Sequence, residues 1–228
     1  MSRRVLAATD PDRAEHLAQS ITEGNTAATT LSHIAKVLAA TDPRRAARLI
    51  ADAEHLAQSI TSEALKVGAL ADIAEAQAAT DPDRAERLAQ SITSEAVRAT
   101  ALAQIAGAVA ATDADRAARL TATAEHLAQS LTGELSILDK MFKVGALTVA
   151  GWAVAATDPD RAARLIADAE RVAQSITNEL LKAIAFTYIA WALTAIDPDR
   201  AERTARSITE NGWKVRALVM SAEPRAMW

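Results

Sequence analysis

The chain has 228 residues, 50% hydrophobic but only 3% aromatic, and its 25 basic and 29 acidic side chains leave a net charge of −4. So low a net charge at this apolar content excludes intrinsic disorder. Seven glycines and six prolines are too few for a β-sandwich or barrel, and an isoelectric point near 5.6 does not suit a nucleic-acid binder.

The absence of cysteine excludes disulfides, thiolate catalysis and thiolate metal sites. No apolar run approaches the ~20 residues of a membrane span, so no membrane association is expected. What remains is an alanine-rich chain with leucine, arginine, glutamine and glutamate, all good helix formers. The reading is all-α.

From the N-terminus, MSRRVLAATD reaches an aspartate and then a proline too soon for the apolar core of a signal peptide. A cytoplasmic protein is expected. Arginine outnumbers lysine 19 to 6, which fits a high-GC bacterial source.

A phrase close to Asp-Pro-Asp-Arg-Ala then recurs, beginning at Asp10, Asp42, Asp81, Asp113, Asp158 and Asp197, in steps of 32, 39, 32, 45 and 39 residues. A second phrase, Gln-Ser-Ile-Thr or a variant, carries Ser20, Ser59, Ser91, Ser130, Ser175 and Ser207. Aspartate to serine is 10 or 17 positions, and serine to the next aspartate is 22, except 28 from Ser130 to Asp158.

The two spacings differ by a heptad. Seven residues are about two helical turns, so the apolar face shifts by only ~20°, which identifies a helix of short form (Pro11 to about Ser20) or long form (Pro43 to about Ser59). The aspartate serves as N-cap and the proline sits at the first helical position. A second helix starts by the same logic at Thr61-Ser62-Glu63 and runs to about Ala79.

Aligning the second helices on the following aspartate gives their phase. Eleven positions before it stand Leu31, Leu70, Leu102, Leu147 and Phe186; eight before, Ile34, Ile73, Ile105, Ala150 and Ile189; four before, Leu38, Gln77, Val109, Val154 and Leu193. These form the core stripe. Seven before stand Ala35, Ala74, Ala106, Gly151 and Ala190, small enough for close helix approach.

A helix pair of this size cannot bury its apolar face alone, so pairs must stack. The expected fold is a right-handed α-solenoid over residues 1–228, with helix-turn-helix units of 32–45 residues starting near 10, 42, 81, 113, 158 and 197. Partial units are expected at both ends: Arg4–Asp10 matches the tail of a second helix, and Trp213–Ala222 matches the first part of one before Pro224 interrupts it. Without evident polar caps, a longer array or head-to-tail self-association is expected.

The unit length, with an Asp-Pro followed by an alanine at each boundary, resembles the tetratricopeptide-type helical repeats, and more closely the degenerate alanine-rich helical repeats of high-GC bacteria. The aromatic, Leu-Gly and Tyr pattern of the tetratricopeptide first helix is missing. The resemblance implies a scaffold or sensor arm, not an enzyme.

His16, His55 and His126 share one repeat slot, which other units fill with Arg87, Arg171 and Arg203. A slot that accepts either side chain is a solvated face, and no metal or cofactor is expected. The Asp-Arg pairs at Asp12/Arg13, Asp83/Arg84, Asp115/Arg116, Asp160/Arg161 and Asp199/Arg200 read as caps and a ladder of ion pairs between units. The recurring serines read as turn and cap residues.

The seven aromatics are unevenly placed. Phe142, Trp152, Phe186, Tyr188, Trp191, Trp213 and Trp228 all follow residue 141. Two slots of the second helix, nine and six before the aspartate, share a face and vary among units: His33/Lys36, Asp72/Glu75, Gln104/Gly107, Val149/Trp152, Tyr188/Trp191 and Met220/Glu223.

That face turns from charged to aromatic along the chain. A peptide or protein partner is expected on Val149, Trp152, Tyr188, Trp191 and Met220; the competing reading packs Trp152 and Trp191 as local core. The six extra residues after Ser130 bring Leu135, Ile137, Leu138, Met141 and Phe142, expected either to expand a groove beside this patch or to be an inert connection. With the aromatic end they would enclose a small hydrophobic ligand, the alternative function.

Overall fold

A computed structural model describes residues 9–222. These residues form twelve α-helices and no strand: α1 (Pro11–Gln19), α2 (Gly24–Leu38), α3 (Pro43–Gln58), α4 (Glu63–Ala78), α5 (Pro82–Ser91), α6 (Glu95–Val109), α7 (Ala114–Ser130), α8 (Ile137–Val154), α9 (Pro159–Gln174), α10 (Glu179–Leu193), α11 (Pro198–Ser207) and α12 (Asn211–Ala222). Odd-numbered helices are the first of each repeat and even-numbered ones the second. The sequence matches at Arg4–Ala8, Glu223 and Pro224, and the aromatic Trp228, lie outside the described residues.

The repeated phrases mark helix ends. At Asp10, Asp42, Asp81, Asp113, Asp158 and Asp197 the carboxylate Oδ1 accepts the backbone N–H three residues on, at 2.9–3.0 Å. Such a cap is worth about 1 kcal/mol. At the other end, the hydroxyls of Ser20, Ser59, Ser91, Ser130, Ser175 and Ser207 each donate to the carbonyl three residues back, at 2.6–2.8 Å. This satisfies a terminal carbonyl the helix would otherwise leave open. The second helices are capped less uniformly: Asn178 and Ser136 accept such a bond, whereas Ser62 makes no side-chain capping bond.

The chain divides within α6 into two compact units, Met1–Ala101 and Leu102–Trp228. In the first, α2 packs on α1, α3 and α4, and α4 packs on α3 and α5. In the second, α8 packs on α7, α9 and α10, and α10 packs on α9, α11 and α12. Thus α2, α8 and α10 each touch their own partner, the following odd helix and the next even helix, the pattern of stacked helix-turn-helix repeats.

The stripe four, eight and eleven before each aspartate lies inward. Ile73, Ile105, Leu147 and Ile189 are fully buried, and only Leu70 and Phe186 of the set are half-buried. Each such aliphatic contributes about 1.5–3 kcal/mol. The long first helices bury an extra pair in their added heptad: Leu49 with Ile50, Leu120 with Thr121, and Leu165 with Ile166.

The small-residue slot has a direct steric reason. A Cβ on Gly151 would meet Ile166 Cγ1 at 3.0 Å and the Ala162 carbonyl oxygen at 3.3 Å, because α9 crosses there.

The six extra residues after Ser130 divide in two. Five repeats take four positions from the serine to the start of the second helix, as in Ser175 to Glu179; here Ser130 to Ile137 takes seven. The remaining three lengthen α8 to 18 residues at its N-terminal end. Because the added turn lies upstream, the positions counted back from Asp158 keep their phase. Gly133, at φ 84°, makes the turn in this link, in a region where a side chain is strained.

Candidate partner-binding face

On α8 and α10 the two variable slots behave differently. At six before the aspartate, the rings of Trp152 and Trp191 stack with centroids 5.4 Å apart and planes 26° from parallel. Trp191 is fully buried, while Trp152 keeps part of its surface. One turn earlier, Tyr188 is 37% exposed and Val149 is 8% exposed.

The expected binding set is therefore corrected. Trp191 is core, because α8 and α10 lie close enough for its indole to fill the space between them. Val149 and Met220 are also buried. The aromatic surface a partner could touch is Tyr188 with the open part of Trp152.

The residues of the longer link do not join this patch. Ile137 and Leu138 are exposed, and Leu135, Met141 and Phe142 are half-buried. They sit at the first turns of α8 or before it, whereas Trp152 is near its last, about 15–23 Å along the axis from the helical members of the set. The structure thus sets the two groups toward opposite ends of α8.

Two lysines pin the segment instead. Lys143 Nζ donates to the Leu131 carbonyl at 2.6 Å and Lys140 Nζ to the Ser175 carbonyl at 3.1 Å. Burial pulls the Lys143 ammonium below its ordinary value.

In the first unit the same slots hold a polar cluster that satisfies itself. Lys36 of α2 pairs with Glu75 of α4 at 2.6 Å. Thr29 Oγ1 donates to Asp72 Oδ2 at 2.8 Å. Burial, and then the nearby Glu75 carboxylate, push Asp72 up to about 6, against the opposing pull of the Thr29 hydrogen bond and the Lys36 charge. Thr29 lies outside the two slots, so the slot pattern alone did not point to it. The charged face seen in the sequence is, in this unit, largely internal to the α2–α4 contact.

The ladder of ion pairs uses a partner the Asp-Arg reading missed. After four of the six caps, the arginine three residues on reaches back to a glutamate on the preceding odd helix: Arg45 to Glu15 at 2.8 Å, Arg84 to Glu54 at 2.5 Å, Arg161 to Glu125, and Arg200 to Glu170 at 2.6 Å. The glutamate always stands five before the recurring serine, a repeat signal present in the sequence.

A shallow, open cleft of about 680 Å³ lies between α1 and α3, lined by Asp12, Glu15, His16, Arg44, Arg45 and Arg48 among others. Asp12, Glu15, Arg45 and Arg48 are paired with one another: Arg45 takes Asp12 as well as Glu15, and Arg48 takes Glu15. His16, His55 and His126 are exposed, and among the described residues no cluster of His, Asp and Glu could hold a metal. None of the helices described is long and apolar enough to cross a membrane.

No family model matches this chain, and no curated protein matches it. Among solved structures it is similar to the crystal structure of Ton1535 from Thermococcus onnurineus NA1, at 13% identity and a TM-score of 0.43, with 93% of this chain and 83% of that one covered.

Proposed function

We propose that the chain is a non-enzymatic interaction scaffold or sensor arm that takes a peptide or protein partner on the face of its second helices, centred on Tyr188 and Trp152. The observation that carries this reading is the half-open aromatic pair set on a fixed base. Trp191 is buried and stacks on Trp152, so Trp152 is held before anything binds. A pre-ordered aromatic loses little side-chain freedom on association, and Tyr and Trp concentrate binding energy at interfaces. Of the variable slots, Tyr188 and the open part of Trp152 are what this end of the chain offers to carry specificity.

The test places a photo-crosslinking amino acid at position 188 and at an exposed first-helix position such as His55, in cells of the source organism. One polypeptide crosslinked from position 188, absent from position 55 and lost in the W152A background, is the expected result. Equal labelling from both positions, or labelling unchanged by W152A, overturns the reading.

A further inference from the structure

The last helix, α12, exposes an apolar face that its equivalents bury. Fourteen positions before the boundary aspartate stand Ala28, Val67, Ala99, Val144 and Ala183, none more than 5% exposed. Ten before stand Ser32, Ala71, Ala103, Thr148 and Thr187, none more than 4% exposed. In the sixth repeat the same slots are Val215 at 62% and Val219 at 54% exposure. Yet α12 packs on α10 and α11 as usual, so the uncovered face is the one a following repeat covers. Valine at both slots makes it more apolar than the faces already buried.

The first helix is uncovered on the opposite side. Leu17 of α1 is 48% exposed, whereas Leu56, Leu88, Leu127 and Val172 in the same slot are half-buried. The ion-pair ladder has a loose end at each place. Arg13 is exposed and has no carboxylate partner among the described residues, although Arg45, Arg84, Arg161 and Arg200 each hold the glutamate of the preceding odd helix. Glu202 of α11 pairs with Arg206 of its own helix rather than with an arginine of another.

We propose that a second copy of this chain covers the α12 face, head to tail, seating its α1 so that Leu17 meets Val215 and Val219 and Arg13 takes Glu202. The contact continues the repeat-to-repeat packing already built into each unit, and both its apolar and its charged parts fall in the ladder's own spacing. Two different surfaces meet, so the association is heterologous and open-ended. The inference stands apart from the aromatic face and does not rest on it.

Light scattering after size exclusion tests it on the whole chain at concentrations up to ~0.1 mM, a range that reveals weak contacts. The wild type should grow in mass with concentration. The V215D/V219D and L17D variants, checked for unchanged helicity by circular dichroism, should each be monomeric. Mixed together they should form a one-to-one dimer and nothing larger, because each keeps one good surface. R13E should weaken the association about tenfold, and R13E/E202R should recover it.

A wild type that stays monomeric throughout overturns the proposal, whether the face is then covered by residues 223–228 or by further repeats of a longer chain. So does an L17D variant that still dimerises, which would mean that two α12 faces meet each other.

Discussion

Glu15 of α1 is shared by two arginines of α3, Arg45 on Oε2 at 2.8 Å and Arg48 on Oε1 at 2.9 Å. The carboxylate is nearly buried, and the Arg48 hydrogen bond foremost, with Arg45 behind it, holds it below its ordinary 4.5. The folded chain thus binds this proton less readily than the unfolded one. The stabilisation is complete above the ordinary value and is lost as pH falls through it toward the lower folded value. E15Q should cost about 1–3 kcal/mol at neutral pH and flatten the acid limb of a urea-melt series.

Asp72 has the opposite sign. Its folded value of about 6 lies above the ordinary 3.8, so the folded chain holds the proton more tightly. Stability falls as pH rises between those values and stays lower above them. D72N keeps an oxygen for the Thr29 hydroxyl and carries no charge. It should match the wild type near about pH 4 and exceed it by about 1–3 kcal/mol near about pH 8, read by thermal melts at both. A variant less stable at both would show that the ionised carboxylate is the favoured form.

The two ends of the aromatic pair should part under truncation. Trp191 is fully buried, so W191A opens a large cavity and should cost about 3–5 kcal/mol. Y188A removes a ring that is already 37% exposed and should cost less, about 1–2 kcal/mol. Equal losses would mean that Tyr188 is core as well.

Two helical glycines should respond in opposite directions to alanine. At Gly151 the new methyl meets Ile166 and the Ala162 carbonyl, and G151A should cost about 1–3 kcal/mol. At Gly68 nothing lies within 4 Å, and G68A should gain about 0.5–1 kcal/mol from helix propensity. Denaturant midpoints of the two variants decide it.

Gln77 fills a slot that is Leu38, Val109, Val154 and Leu193 elsewhere. It is 4% exposed and its Oε1 has no hydrogen-bond partner among the described residues. Q77L should therefore stabilise by about 1–3 kcal/mol. A loss instead would point to a polar partner for the amide.

Much of this molecule could be read from period and punctuation. Asp-Pro placed the first helices, serine placed their ends, and counting back from the aspartate placed Leu31, Ile73 and Leu147 in the core, because helical phase is a local property that accumulates no error within a turn or two. What the sequence could not resolve was depth. Trp191 and Tyr188 lie three residues apart on one face, and one is buried while the other is not; the distance between α8 and α10 decides that, and neither helix encodes it alone. The glutamate of the ion-pair ladder was visible as a repeat slot, but pairing it with an arginine some 30 residues on needs the stacking of neighbouring helices.

The split of six residues into a longer link and an added upstream turn has a practical side. Between Ser130 and Ile137 the chain changes length without disturbing the helices downstream, because α8 absorbs the difference at its free end and Asp158 stays in step. Foreign sequence spliced after Gly133 would hang from the surface like a tab, with Lys140 and Lys143 still fastening the helix behind it. The same splice inside α9 would push Leu165 and Ile166 out of their places. The repeat array therefore carries its own mounting point for cargo.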